Sequence, residues 1–301
     1  MFNWLKKIIT VPENARRINV AEVPSNGSLA KADLLNECDT HKKRGNEFLA
    51  KGNLEEAAEC YRQAVAVNPG YAEGFLNLGF VLREQKLYED AERHLRQAVL
   101  INPKMADAYY LLGGVSQERG NLAGAIENYN KTLELKPDFE IVYGDLCHVL
   151  FQSGQNEGAK KVIKQGLSLN QQSAEFHCYL GNLYVYENKL EKSIACYQKA
   201  LVLNPGDANV HNKLGVIFQD RGDLDEAQAC YRKALALTPD DADVHNNLGA
   251  VFQDRGDLDE AQACYRRAIA LNPDSVNAHN NLGAAFQAMG NFEEAVACCA
   301  H

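Results

Sequence analysis

FQDRGDLDEAQACYR, residues 218–232, returns letter for letter as residues 252–266, an offset of 34. Such repetition means that one packing problem recurs at a fixed interval. Around the stretch, His211, Leu214, Gly215 and Phe218 stand at i, i+3, i+4 and i+7, one face of a first helix. Ala227, Tyr231, Ala234 and Leu235 mark the face of a second. Gly222 falls between the two, where a left-handed residue stops a helix. Asp223 and Glu226 have the spacing of a capping box that opens the second helix. Pro239 ends it, since proline removes a donor and crowds the preceding turn. The expected unit is a hairpin of two short helices.

Set out in rows of 34 from Cys38, the chain gives units starting at 38, 72, 106, 140, 174, 208, 242 and 276, the last incomplete. Column eight reads Gly45, Gly79, Gly113, Cys147, Gly181, Gly215, Gly249 and Gly283. Column twenty is Ala in every unit except for Ser193, and column thirty-two is Pro except for Gln171. Small residues at columns eight and twenty let two helices approach, and an aromatic at column twenty-four is expected to wedge between them. A hairpin of this size cannot bury its apolar faces alone, so copies must stack. The expected organisation is an N-terminal extension over 1–37 and a repeat array over 38–301. Unit four is the irregular one, with Cys147, Ile163, Gly166 and Gln171 at key columns.

Composition narrows the function. The 301 residues carry 31 Lys+Arg against 40 Asp+Glu, a net charge of −9, which disfavours a nucleic-acid partner. No apolar run reaches the length of a membrane-spanning helix. The opening MFNWLKKIIT lacks the order and cleavage site of a secretory signal. Its Phe2, Trp4, Leu5, Ile8 and Ile9 suit a short amphipathic surface anchor, and the alternatives are a helical flap over the first repeat or a poorly ordered tail; residues 10–27 read as linker. Nine cysteines, none in a C-x-x-C pair, point to free thiols and a cytoplasmic setting.

The pattern L-G-x-x-Y/F, A-x-x-x-Y, A, P at period 34 resembles the tetratricopeptide repeat family over 38–301. The resemblance implies an all-α, right-handed superhelical solenoid whose first helices line a concave groove. It further implies a non-catalytic scaffold for protein or peptide partners. Segments such as HNNLG and ACYR are also similar to the superhelical arrays of SPINDLY-like protein O-linked N-acetylglucosamine transferases, which carry an asparagine ladder. That similarity leaves a second reading open: the substrate-recognition portion of such a transferase, without its catalytic domain.

No glycine-rich phosphate loop, H-E-x-x-H or G-x-S-x-G motif occurs, and Gly113-Gly114 lacks the lysine of a phosphate loop, so no catalytic residue and no cofactor is expected. His41, His177, His211, His245 and His279 share column four, and Cys60, Cys196, Cys230, Cys264 and Cys298 share column twenty-three. A column spreads its members one per repeat, whereas zinc needs four ligands at one point, so packing is expected and no metal. The terminal Cys298, Cys299 and His301 have ligand chemistry but fall where a helix end is expected to fray, so no site is expected there.

By the resemblance, columns two, five, six, nine, twelve and thirteen line the groove. Units six to eight place there Asn212, Asn246, Asn247, Asn280 and Asn281, whose amides can pair with any extended backbone. Units two to five place there Asn77, Phe80, Tyr110, His148, Tyr179, Asn182 and Tyr186, suited to anchoring apolar side chains of a partner. The carboxylate clamp of chaperone adaptors is matched by Lys42, Asn46 and Asn77 but broken by Asp107 and Leu111. No polar capping helix follows the last unit, which leaves an apolar face open: either a partner covers it, or the chain is a shortened piece of a larger protein, or copies self-associate through it.

Overall fold

Column eight decides how closely the helices pack. An alanine Cβ at Gly215 would stand 2.5 Å from Tyr231 Cε1, and one at Gly249 would stand 2.7 Å from Tyr265 Cε1. Both tyrosine rings are fully buried, so only glycine lets the second helix seat its ring against the first. The computed structural model describes residues 27–298. The readings made for residues 1–26, and for Cys299 and His301, lie outside the described residues.

The described residues divide into two compact units, the first ending at Val162 and the second beginning at Ile163. The first contains helices α1 (Gly27–Ala50), α2 (Leu54–Val67), α3 (Ala72–Glu84), α4 (Tyr88–Ile101), α5 (Ala106–Glu118), α6 (Leu122–Leu135) and α7 (Glu140–Gln152). The division falls inside α8 (Asn156–Leu169), the second helix of the irregular fourth repeat. The second unit continues with α9 (Ala174–Tyr186), α10 (Leu190–Leu203), α11 (Ala208–Arg221), α12 (Leu224–Leu237), α13 (Ala242–Arg255), α14 (Leu258–Leu271), α15 (Val276–Ala288) and α16 (Phe292–Cys298). Within each unit, α8 aside, consecutive helices pair as hairpins, and the second helix of a hairpin also packs on the first helix of the next.

The core repeats with the sequence. Ile194, Tyr197 and Ala200 of α10 meet Val210, Leu214 and Ile217 of α11. One repeat later Ala227, Tyr231 and Ala234 of α12 meet Val244, Leu248 and Val251 of α13. Each such cluster has one neighbour before it and one after it, which is why residues at the same columns serve again and again.

Helix ends follow the expected logic in part. Gly222 and Gly256 close α11 and α13 at φ 82° and 86°, left-handed values that favour glycine. The capping box expected at Asp223 does not form: its side chain makes no cap hydrogen bond, and its carboxylate sits 3.0 Å from Arg221 Nε. Among the described residues of the second unit, the caps lie on first helices instead, whereas in the first unit Asn121 caps the second helix α6 by accepting from the N–H of Gly124 at 3.0 Å. Asp207 accepts from the backbone N–H of Val210, Asp241 from those of Asp243 and Val244, and Ser275 from that of Ala278. Among the described residues no helix is long and apolar enough to cross a membrane.

Candidate functional site: the first-helix rows of each unit

In unit two, α11, α13 and α15 present their asparagines as linked pairs. Asn247 Nδ2 donates to Asn212 Oδ1 at 3.2 Å, and Asn281 Nδ2 donates to Asn246 Oδ1 at 3.0 Å. Each bond joins column five of one repeat to column six of the next, so neighbouring first helices share one face. The pairing consumes one oxygen and one N–H and leaves the partner oxygen and the remaining N–H groups available. All four of these asparagines are half-buried, while Asn280 is exposed. Below them Tyr231 and Tyr265 donate to Gln219 and Gln253 at 3.1 and 3.0 Å. Tyr197 likewise donates to Asn182 at 2.7 Å, which occupies that amide oxygen. Tyr179 is half-buried and Tyr186 is 65% exposed.

In unit one the same columns have a different character. Phe80 is 3%, Tyr110 7% and Asn77 6% exposed, so these three offer little surface to a partner, whereas His148 is exposed. Tyr110 Oη donates to Asp145 Oδ2 at 2.8 Å, again column five to column six of the next repeat. Burial pushes the Asp145 carboxyl above its usual range, opposed by that hydrogen bond and by the charge of Arg83. Lys42 is spent inside the protein, 2.8 Å from Glu73 and 3.1 Å from Asp39, and Asn46 accepts from Tyr61 at 2.6 Å. Two of the three residues that matched the carboxylate clamp are therefore already engaged.

The histidine column has a structural task beyond filling space. The ring Nε2 atoms of His211, His245 and His279 lie 3.2, 2.9 and 2.9 Å from the carbonyls of Pro205, Pro239 and Pro273. His177 makes the same contact with Gln171 at 3.2 Å. Each histidine ties the turn that enters its helix to the helix itself. The signal was present in the recurring Pro-x5-His spacing. Cys60 is buried, and Cys196, Cys230 and Cys264 are half-buried; burial raises all four thiols above their ordinary range. Among the described residues no three His, Cys, Asp or Glu side chains gather to hold a metal.

Sequence reasoning missed a cleft of about 510 Å³ in unit two, between α10, α11 and α12. Leu201, Val202, Pro205, Leu214 and Phe218 form its apolar wall, and Lys233 lies at its edge. It also missed the arrangement of Arg83 over Gly114, in which an added Cβ would stand 3.2 Å from the guanidinium carbon. Both depend on residues some thirty positions apart.

Residues 105–301 match the family described as "Cilia and flagella-associated protein 70 C-terminal domain". Residues 45–86 and 73–102 match two tetratricopeptide-repeat families. A search of curated proteins gave no match. Among solved structures, a tetratricopeptide repeat protein from Parabacteroides merdae is similar at TM-score 0.65 and 16% identity, covering 83% of this chain and 99% of that one. The pilF protein of Pseudomonas aeruginosa gives TM-score 0.61 and 20% identity over 72% of this chain and 97% of that one. The APC/C hetero-tetramer Cut9-Hcn1 gives 0.61 and 19%, over 85% and 55%. At these identities the likeness concerns the fold.

Proposed function

The chain belongs to the family of the cilia and flagella-associated protein 70 C-terminal domain, a tetratricopeptide-repeat family, and we propose that it is a non-catalytic scaffold whose first-helix rows hold extended polypeptide segments. The supporting observation is the pair of asparagine bridges, Asn212 with Asn247 and Asn246 with Asn281. A bridge fixes each amide's orientation before a guest arrives, which lowers the ordering cost of binding. Main-chain groups carry no side-chain information, so unit two binds with little sequence preference. The family description supports a place of work associated with cilia or flagella, a refinement of the cytoplasmic expectation.

The test is selection of peptides from a displayed random library on the full chain, followed by titration against a variant with Asn212, Asn246 and Asn280 changed to Ala. At about 1 kcal/mol per lost hydrogen bond, affinity should fall at least tenfold, and loss of the two bridges should lower stability by about 2 kcal/mol while the chain stays folded. Selected peptides that bind the variant as well as the parent would exclude this surface.

The same bridges also favour a second reading, in which the array presents acceptor polypeptides to a glycosyltransferase. Sequencing the gene downstream of His301 separates the two: a transferase-like frame supports it, and any other continuation removes it. Self-association is a further expectation, supported by Phe292 and Val296 on α16, which are 65% and 71% exposed. Sedimentation across a hundredfold concentration range reads it directly, and a constant monomer mass would dismiss it.

A further inference from the structure

The pair Gly113-Gly114 stands in the middle of α5, where glycine is the poorest helix residue after proline. Gly113 has a packing reason, because a Cβ there would lie 2.5 Å from the buried ring of Tyr129. Gly114 has no such reason. What lies over it is the guanidinium of Arg83 from α3, whose Cζ, Nη2 and Nε would come within 3.2–3.4 Å of an added Cβ. The glycine therefore leaves room for an arginine to lie flat across the first-helix row.

Arg83 differs from the three arginines that close other first helices. Arg119 pairs with Glu92, Arg221 with Glu191 and Arg255 with Asp225, each on the second helix of the preceding repeat. No acid of the described residues lies within ion-pair distance of Arg83. Its charge is nevertheless felt by Asp145 on α7, the half-buried carboxylate that accepts from Tyr110. Tyr110 and Gly114 stand at i and i+4 on one face of α5, so the guanidinium over Gly114 and the carboxylate bonded to Tyr110 share the floor of unit one without an ion pair between them.

We propose that Arg83 and Asp145 form a specificity pocket for the carboxamide of an asparagine or glutamine side chain on a bound polypeptide; this rests on the scaffold reading above. A guest carboxylate would suit Arg83 and be repelled by Asp145, and a guest ammonium would meet the reverse. A neutral carboxamide satisfies both, its oxygen accepting from the guanidinium and its NH2 donating to the carboxylate. A main-chain amide holds the same atoms, but in the trans peptide its C=O and N–H point to opposite sides. A primary carboxamide offers both on one edge, as two groups on one floor require. Unit one then reads a side chain, while unit two reads backbone.

The test repeats the displayed-library selection on the parent and three variants, and titrates the selected peptides against a further variant, Asn246→Ala. The parent should enrich Asn or Gln at one consensus position, and replacing that residue by Ala in a selected peptide should weaken binding at least tenfold. Asp145→Asn, which still accepts from Tyr110, should shift the position to Asp or Glu; Arg83→Gln should shift it to Lys or Arg. Gly114→Ala, which keeps a sound helix, should erase the preference by displacing Arg83. An acidic consensus on the parent, or a consensus unchanged by Asp145→Asn, overturns the assignment. If selected peptides ignore Arg83→Gln yet weaken with Asn246→Ala, the scaffold reading stands and this pocket is wrong. If they respond to neither, or none is enriched, the scaffold reading falls and the pocket with it.

Discussion

Substituting alanine at Gly113 and, separately, at Gly114 should move stability in opposite directions. Both changes gain the same helix propensity, about 1 kcal/mol, because both residues sit inside α5. They differ in what the new methyl meets. At Gly113 it lands 2.5 Å from two carbons of the Tyr129 ring, roughly 1 Å inside normal carbon contact. That ring is 2% exposed and its hydroxyl is held by Gln117 at 3.0 Å, so it has nowhere to go. Overpacking of this kind costs about 1–3 kcal/mol. At Gly114 the methyl meets only the far end of Arg83, which can swing toward solvent. Propensity cancels between the two variants, so their difference isolates the clash: Gly114→Ala should exceed Gly113→Ala by about 1–3 kcal/mol, and should exceed the parent by up to about 1 kcal/mol. Urea unfolding of the full chain followed by circular dichroism reads both. If Gly113→Ala proves as stable as Gly114→Ala, the ring does not wedge where described, and the account of column eight is wrong. A stabilised Gly114→Ala that has lost its peptide preference would also show a binding residue retained against helix stability.

Other perturbations follow from the same contacts. Asp241→Ala should cost about 1 kcal/mol by urea unfolding, since its side chain caps α13, whereas Asp223→Ala should change little because it caps nothing. Tyr265→Ala removes a 1%-exposed ring from the α14–α15 cluster and should cost about 3–5 kcal/mol in the same assay. His94 is stacked on Phe75, has a buried Nδ1 without a hydrogen-bond partner, and is depressed in pKa, first by burial and then by Arg93. A depressed histidine lends stability that is present above its unfolded pKa of about 6.5 and lost as pH falls below it. Melting curves between pH 7 and 5 should therefore fall more steeply for the parent than for His94→Gln.

The fold was largely legible because its determinants are local and repeated. Gly215 and Tyr231 are sixteen residues apart in one hairpin, and their recurrence at Gly249 and Tyr265 reveals the contact before any coordinates. The capping box was misread because D-x-x-E spacing at Asp223 ignores Arg221 on the other side of the glycine turn, which captures the carboxylate. The actual caps at Asp207, Asp241 and Ser275 sit just after the proline turns, where the chain approaches each first helix. Asparagines were visible in sequence, yet their bridges span 35 residues and depend on how one repeat is rotated against the next. Burial of Tyr110 has the same origin, since its hydroxyl reaches Asp145 of the next repeat, 35 residues on. Arg83 was unreadable for the same reason: its setting depends on a glycine 31 positions later.

Amide hydrogen exchange of the full chain, with and without a saturating library-selected peptide, addresses the central claim most directly. Binding on the first-helix rows predicts slowed exchange along α11, α13 and α15, with α12 and α14 unaffected. Slowing confined to α10 and α12, around the apolar cleft, would place the guest on the opposite helices and contradict the assignment.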